Sequence, residues 1–421
     1  MQEGTTEFAA VIGLDWADKK HDVCIRAQGA DELERGVVQH RPVALQDWVE
    51  GLRKRFEGAP VAVIVELEQG PIVSALLEYD FIVIFPINPS TLARYRKTFV
   101  PSGAKDDPTD AELALDYFER HRERLEPLRR DSVPMRQLRK LVQERRAFVE
   151  DRVAITNRMT HALKAYFPLV VSWFRDKFTD VFMDFLEQWP TLQAAQRARR
   201  ETLVRFFHDH SVRRTDTIER RIAELKAERA LTLDPGVIEP AQLTVSLLLS
   251  LQRAVCSAIE RLDREIARLA ASLPDFQLFA KLPGAGPVLA PRLLVAFGER
   301  RERFTNAAAL QKYGGIAPVT ERSGNKHWVH WRYACNTFLR QTFVEWTKET
   351  IPRSYWAKAF YERHRAKGAS HNAALRALAF KWIRILYRCW VERAPYDEAR
   401  YLNALRKRNA PLLTYASENP N

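Results

Sequence analysis

The sequence predicts an α/β N-terminal domain, a long α-helical middle and a mostly α-helical C-terminal region. Three observations carry this. Residues 8–125 alternate short apolar runs with amphipathic stretches, the pattern of strands interleaved with helices. From about 111 to 270 glycine nearly vanishes, charge becomes dense and apolar residues recur at helical spacing. Beyond 275, glycine and proline return in short motifs between helical segments. With 421 residues, 46% of them hydrophobic, the chain can bury real cores in two or three domains.

Val11–Asp15 and His21–Arg26 read as strands joined by a turn at Asp18-Lys19-Lys20, and Gly36–His40 as a third. Leu45–Phe56 is amphipathic and helical through Leu45, Trp48, Val49 and Leu52. Val61–Glu66 is a buried strand, Pro71–Tyr79 a short helix and Phe81–Ile87 another buried strand. Three hairpin-like strands followed by alternating helix and strand resemble the RNase H-like (RuvC-like) order. Val133–Phe167, Thr215–Arg229 and Leu243–Leu273 predict long antiparallel helices of coiled-coil type, interrupted at Pro190 and at the turn Leu233-Asp234-Pro235-Gly236. Ser370 is placed to cap a helix running to about Val391. The expected domains are 1–125, a helical linker region 126–274, a C-terminal domain 275–400 and a tail 401–421 whose last residues, Pro411–Asn421, are polar.

A net charge of +13 and a pI near 9.6 suit a polyanionic partner, nucleic acid above all. Cys24, Cys256, Cys335 and Cys389 lie at no metal-ligand spacing, so neither a zinc site nor a disulfide framework is indicated and a reducing cytoplasm is expected. No leader pattern opens the chain, and no apolar stretch reads as long enough to span a bilayer.

Four carboxylates stand out. Asp15 closes the run Ala9–Leu14, Glu66 closes Val61–Val65, and Asp107 and Asp110 share Lys105-Asp106-Asp107-Pro108-Thr109-Asp110. Acids at two strand ends and a helix start are what an RNase H-like fold needs to hold two Mg²⁺ (or Mn²⁺) ions, which cut phosphodiesters by clamping the attacking and leaving oxygens. A structural reading coexists with this one: Asp-Pro-Thr-Asp also starts a helix. Glu68 is a rival to Glu66 on the same face, while Asp18 and Asp22 read as solvated. Lys105 suits a phosphate contact.

Leu282-Pro283-Gly284-Ala285-Gly286-Pro287 resembles the hairpin of a helix-hairpin-helix, whose backbone amides around Gly284 and Gly286 can hold a phosphate. In Glu321-Arg322-Ser323-Gly324-Asn325-Lys326-His327, Ser323 could attack a phosphodiester, with Arg322 and Lys326 stabilising the charge that develops. On the residues alone a surface loop is the better reading, since Ser-Gly is a common turn dipeptide. His208-Asp209-His210 lacks further ligands and reads as a solvated helix end. Trp328, Trp331 and Tyr333 can stack on unpaired bases or form a strand face. The basic runs Arg120–Arg130 and Arg197–Arg200 are solvated helix faces that can also follow a phosphate backbone.

Together, Gly13-Leu14-Asp15-Trp16-Ala17-Asp18-Lys19-Lys20-His21-Asp22-Val23, Val63-Ile64-Val65-Glu66, Ile87-Asn88-Pro89 and Lys105–Ala111 resemble the DEDD, RuvC-like domain of bridge-RNA-guided insertion-sequence recombinases. Leu282–Gly286, Tyr313–Pro318 and Arg322-Ser323-Gly324 resemble the transposase domain of the same family. The resemblance implies metal-binding acids at Asp15, Glu66, Asp107 and Asp110 and a nucleophilic serine at Ser323. It implies donor and target DNA, a structured noncoding guide (bridge) RNA, and a homo-oligomer, dimer or tetramer, in which acids of one subunit and the serine of another form a composite site. The chain departs from the family pattern at Leu67-Glu68-Gln69-Gly70, where relatives often carry Ala-Thr-Gly, and has fewer serines after Ser323. The expected activity is RNA-guided recombination of donor and target DNA through a covalent phosphoserine, in the bacterial cytoplasm at the nucleoid. The alternative is a metal-dependent RuvC-like junction nuclease without serine chemistry; a nucleic-acid-binding assembly protein with idle acids ranks last, because clustered like charges are costly.

Overall fold

A computed structural model describes residues 7–66, 68–99 and 107–412, the side chains of Asp107 and Pro108 excepted. The chain divides into two compact units, Met1–Arg130 and Asp131–Asn421.

The first unit is built on a five-stranded sheet. Its strands are β1 (Ala10–Trp16), β2 (Lys20–Ala27), β3 (Glu34–Gln39), β4 (Val61–Val65) and β5 (Ile82–Pro86), in spatial order β3-β2-β1-β4-β5. The β1–β2–β3 ribbon is antiparallel, whereas β4 and β5 run parallel to β1, so the sheet is mixed. Alternation sorts the side chains onto two faces. Ile12, Leu14, Val23, Ile25, Val63 and Val65 pack on one face, against α1 (Pro42–Arg55) and α2 (Pro71–Leu76). Ala62, Ile64 and Phe85 pack on the other, against α3 (Pro89–Phe99) and α4 (Asp107–His121). The α/β character expected of this region is what the structure has.

One contact sets where α4 begins. A β-carbon on Gly13 would sit 1.8 Å from the Ala111 carbonyl oxygen, so β1 and the first turn of α4 approach as closely as backbones can. Cys24, Ala111 and Leu115 are fully packed around this seam. Further along, Arg26 of β2 pairs with Glu119 of α4.

The second unit is mostly helical. Its spine is two long helices, α5 (Val133–Tyr166), started by Ser132, and α11 (Pro235–Ser272), started by Asp234. Arg145 pairs with Asp263, and Gln252 donates to Thr156, so α11 runs back along α5. The predicted antiparallel pair is therefore present.

Between them come α6 (Pro168–Trp173), α7 (Asp180–Gln188), α8 (Leu192–Arg197), α9 (Arg200–Asp209) and α10 (Thr215–Ala227). These helices have an aromatic core of their own, with Phe167, Phe182, Phe185, Trp189 and Phe207 buried around Met159, Leu163 and Leu248 of the spine. The 165–245 segment is thus a packed cap, more than a spacer.

His208-Asp209-His210 is partly corrected. His210 is half-buried and bridges Asp184 (2.7 Å) and the Phe206 carbonyl (2.8 Å), which makes it structural.

At the other end of the spine, Leu138, Val142, Ile266 and Leu269 join a larger core. It contains α12 (Phe276–Ala280), α13 (Gly286–Phe297), α14 (Ala307–Tyr313), α15 (Thr337–Thr350), α16 (Tyr355–Ala366) and α17 (His371–Glu392), followed by α18 (Glu398–Lys407). Ser370 caps α17 through the Ala373 amide as expected. Leu412, in the segment expected to be polar tail, is buried in this core. Residues 413–421 lie outside those described.

Two expectations change. The stretch Pro318–His330 is a β-hairpin, β6 (Val319–Ser323) paired antiparallel with β7 (Lys326–His330), rather than an irregular loop. One helix is long and apolar enough to cross a membrane by length and composition: α11, with a mean hydropathy of 1.3 over its best stretch. The same test is passed by core helices, and α11 contributes Val245, Leu248, Leu249, Ile266 and Leu269 to the two cores.

Two outcomes follow. Gly13→Ala should destabilise the first unit by about 1–3 kcal/mol, because backbone must move to admit the methyl; urea unfolding followed by hydrogen exchange in β1 and α4 measures this. Burial alone would lower the His210 pKa, but the Asp184 carboxylate and the Phe206 carbonyl together raise it above its ordinary value. The bond then stabilises the cap fully below about pH 6.5, the unfolded value, and the contribution is lost as pH rises through the folded value. Thermal melting of the cap should fall across that window in the wild type and be flatter in His210→Gln.

Candidate functional site

Asp15, Glu66 and Asp110 stand on three elements that pack together: the end of β1, the end of β4 and the start of α4. Leu14 and Val65 are register neighbours on parallel strands, so Asp15 and Glu66, each one step on, leave adjacent strand ends side by side. Leu14 and Val65 face α1 and α2; Asp15, next in β1, therefore faces α4. Both Asp15 and Glu66 are half-buried, whereas Glu68 is exposed. Asp110 lies in the first turn of α4, one residue before the Ala111 carbonyl that touches Gly13. Asp107 begins α4 but its side chain is outside the described residues, as is all of Lys105.

Asp110 is 2% exposed and held by Arg96 of α3, whose Nε and terminal nitrogen lie 2.7 and 2.6 Å from the same oxygen, Oδ1. This arginine is part of the site that sequence reading missed. Its signal was weak, a single Arg eleven residues before the Asp107-Pro108 start on a different helix.

Asp22 corrects an expectation more directly. It is 5% exposed, paired with Lys20 at 3.3 Å, and sits opposite Asp15 in the β1–β2 ladder. Opposed residues of an antiparallel pair share a face, so Asp22 also points toward α4. Its signal was present: strands closing on Trp16 and His21 around a short turn force Asp15 and Asp22 into register. Asp18 is exposed, as expected.

Among the described residues no three Asp, Glu, His or Cys side chains form a metal-holding group. The donor chemistry nonetheless suits a hard divalent cation. All candidates are carboxylates, and the described contacts of Asp110 occupy one of its two oxygens.

In the second unit, Ser323 is the last residue of β6, opposite Lys326 across a two-residue turn in which Gly324 has φ +54°. Arg322, Ser323 and Lys326 are all exposed. Ser323, Glu321, Lys326, Trp328 and His330 share one face of the ribbon. Glu321 stiffens it, accepting from Trp328 Nε1 at 2.9 Å and bonding His330 Nε2 at 2.8 Å. Those bonds hold the Glu321 carboxyl below its ordinary range, with His330 the larger cause, and raise the His330 imidazole.

The glycine motif joins α12 to α13 as a helical hairpin. Gly284 has φ +73°, and a β-carbon there would meet the Glu349 backbone at 2.6 Å. Trp346 Nε1 donates to the Pro283 carbonyl at 3.0 Å. Gly284 is thus explained by packing on α15, while Gly286, with φ +55° at the start of α13, is exposed.

Comparison with known proteins gives two matches, the first of which continues past the first unit through α5. A DEDD family model described as "Transposase" matches residues 12–168, and a second, "Transposase IS116/IS110/IS902 family", matches residues 276–362. The chain carries both domains of an IS110-family insertion-sequence transposase.

The "Mini-circle putative transposase for IS117" of Streptomyces coelicolor is 29% identical over 413 residues, covering 96% of this chain and 98% of the relative. The "Insertion element IS116 uncharacterized 44.8 kDa protein" of Streptomyces clavuligerus is 26% identical over 382 residues, 89% and 93% of the two chains. A protein of insertion element IS900 from Mycobacterium paratuberculosis is 22% identical over 398 residues, 92% and 97%. The transposase acts on DNA, and its class cuts and rejoins DNA strands.

Arg96→Met should leave Asp110 buried without its counter-charge and cost the first unit about 3–5 kcal/mol. Arg96→Met combined with Asp110→Asn should recover part of that loss, and a double-mutant cycle by urea unfolding measures the coupling.

Proposed function

We propose that this transposase is an RNA-guided DNA recombinase. A RuvC-like first unit holds divalent metal, Mg²⁺ or Mn²⁺, on Asp15, Glu66, Asp107 and Asp110, and Ser323 of the second unit links covalently to DNA. The observation that carries the reading is the placement of Ser323, exposed at the tip of a braced hairpin between two cations. The sheet order β3-β2-β1-β4-β5, with β2 antiparallel, supports the RuvC-like assignment.

Ser323 Oγ attacks the scissile phosphorus and gives up its proton. A P–Oγ bond forms, the P–O bond to one sugar breaks, and the departing oxygen takes a proton to become a free hydroxyl. Attack by a sugar hydroxyl of the partner strand reverses the step, releasing Ser323 and joining new strands. The number of ester bonds is conserved, so no ATP is needed. Arg322 and Lys326 lie beside the nucleophile and offset charge on the phosphoryl oxygens. Bound metal would supply Lewis-acid stabilisation of the attacking and leaving oxygens. Asp110 is pre-positioned by Arg96, and Asp22 adds a further carboxylate facing α4.

The +13 charge supports a guide RNA besides DNA. Each strand cut needs its own serine, so the chain works as a homo-oligomer, a dimer or tetramer, at the nucleoid. Phosphate contacts from Lys105, Gly284 and Gly286 belong to the same reading.

The test uses a suicide DNA substrate and copurifying RNA. Wild type should yield a covalent protein–DNA adduct. Ser323→Ala should yield none while keeping its unfolding midpoint, and Asp15→Asn should lose adduct formation in Mg²⁺. Strand cutting that survives in Ser323→Ala and disappears in Asp15→Asn would instead establish the junction-nuclease alternative. Adduct formation unaffected by RNase would remove RNA guidance.

A further inference from the structure

A cavity of about 630 Å³ opens in the second unit at the foot of the β6–β7 hairpin. That volume is within the range of small-molecule and cofactor sites. Its walls combine three rings, Trp331, Phe360 and Phe380, with three cations from one face of α17: Arg376, Lys381 and Arg384.

The cations are what make the cavity unusual. The Arg376 guanidinium lies 4.2 Å from the centre of the Trp331 ring. The Lys381 ammonium lies 4.7 Å from that of Phe360 and 5.1 Å from that of Trp356. Among the described residues none of the three pairs with a carboxylate, whereas Arg388, further along the same helix, pairs with Glu392. Burial pushes both Arg376 and Lys381 below their ordinary pKa, and Arg363 adds to the effect at Lys381. Arg376 and Lys381 are half-buried, whereas Arg384 is exposed at the rim; partly desolvated cations without a counter-charge are costly, and a bound anion reduces that cost. Neighbouring aromatic faces ask for a flat apolar body attached to the anion.

A nucleotide has both parts. Bases stack on aromatic side chains, and arginine and lysine bind phosphate oxygens by charge-assisted hydrogen bonds. Position favours the same ligand. His330 and Trp331, at the end of β7, lie on the wall, while Lys326, at its start, faces Ser323. The strand rises roughly 3.3 Å per residue, so wall and nucleophile are about 13 Å apart along it. That distance is within the reach of a few nucleotides of a strand engaged at Ser323.

We propose that this cavity takes one unpaired nucleotide, its base against Trp331, Phe360 and Phe380 and its phosphate on Arg376, Lys381 and Arg384. DNA and RNA strands share this chemistry. The inference rests on the transposase reading in one respect: that nucleic acid is the partner.

The experiment uses the full-length protein and fluorescence anisotropy with short labelled single-stranded DNA, single-stranded RNA and blunt duplex DNA. The variant is Lys381→Met with Arg384→Gln, which keeps the apolar packing of the lysine stem. Single-strand affinity should fall about tenfold or more, and the slope of log K against log salt should shrink by about 0.7 for each cation removed. Duplex affinity should change little. Loss on DNA alone, on RNA alone or on both supports the proposal and identifies the strand. Equal loss on duplex, or no loss on any probe, overturns it.

Photocrosslinking of the unaltered protein to oligonucleotides carrying 5-iodouracil supplies a readout independent of folding. The adduct should map to peptides holding Trp331, Phe360 or Phe380; adducts confined to other peptides overturn the proposal. Unaltered protein that binds none of the three probes would overturn the transposase reading itself.

Discussion

The seat of α4 on the sheet, and with it the position of Asp110, depends on one close approach, the absence of a side chain at Gly13 beneath the Ala111 carbonyl. Two strands of a parallel pair can bring carboxylates only to neighbouring strand ends. Beyond Asp22, which the antiparallel β2 sets opposite Asp15, further acids come from an element laid across the sheet, whose start must land beside those ends. A residue with a β-carbon at position 13 would hold α4 off the sheet. Asp107 and Asp110 would then be carried away from Asp15 and Glu66. The Arg26–Glu119 pair and the Arg96–Asp110 pair trim the seat of α4, but they act on a helix the backbone contact has already located.

The second unit solves a different problem, the support of an exposed hairpin tip. Ser323 stands on a two-stranded ribbon, an element marginal in water by itself. Its rigidity comes from elsewhere. Glu321 ties Trp328 and His330 within the ribbon, Trp331 lies against the guanidiniums of Arg340 and Arg376, and Arg332 donates to the Ala317 carbonyl. Beneath these, Trp346, Trp356, Trp382 and Trp390 are fully buried in one core. An exposed serine is thereby carried on a stiff base, which limits the conformational entropy left to it.

Much of the first unit was legible in the sequence because β1, β4 and β5 are nearly continuous apolar runs and α1, α2 and α3 begin with proline. Each of the five strands and α1 was placed within a few residues. The long helices were equally plain, since 3.6-residue periodicity over more than thirty residues admits few alternatives. What escaped was pairing information. Asp22 looked like one polar residue in a turn-rich stretch until strand register set it opposite Asp15. The hairpin at 319–330 was hidden because its residues are exposed on both faces and show no apolar alternation. The cap between α6 and α10 was missed because short helices with aromatic contacts leave little periodic trace. Arg96 carries little local signal, and Arg376 and Lys381 carry none; their surroundings come from other elements of the fold.

The turn of the β6–β7 hairpin holds just Gly324 and Asn325, and this imposes a parity on the segment. Side chains on a ribbon alternate faces, so a single inserted or deleted residue between Pro318 and Ser323 would rotate the serine to the opposite side of the sheet. Changes of two residues would keep its direction and shift its reach by about 7 Å. Length variation in this segment is therefore quantised in pairs. The hairpin acts as a ruler whose graduations are two residues apart, with Ser323 fixed at its end.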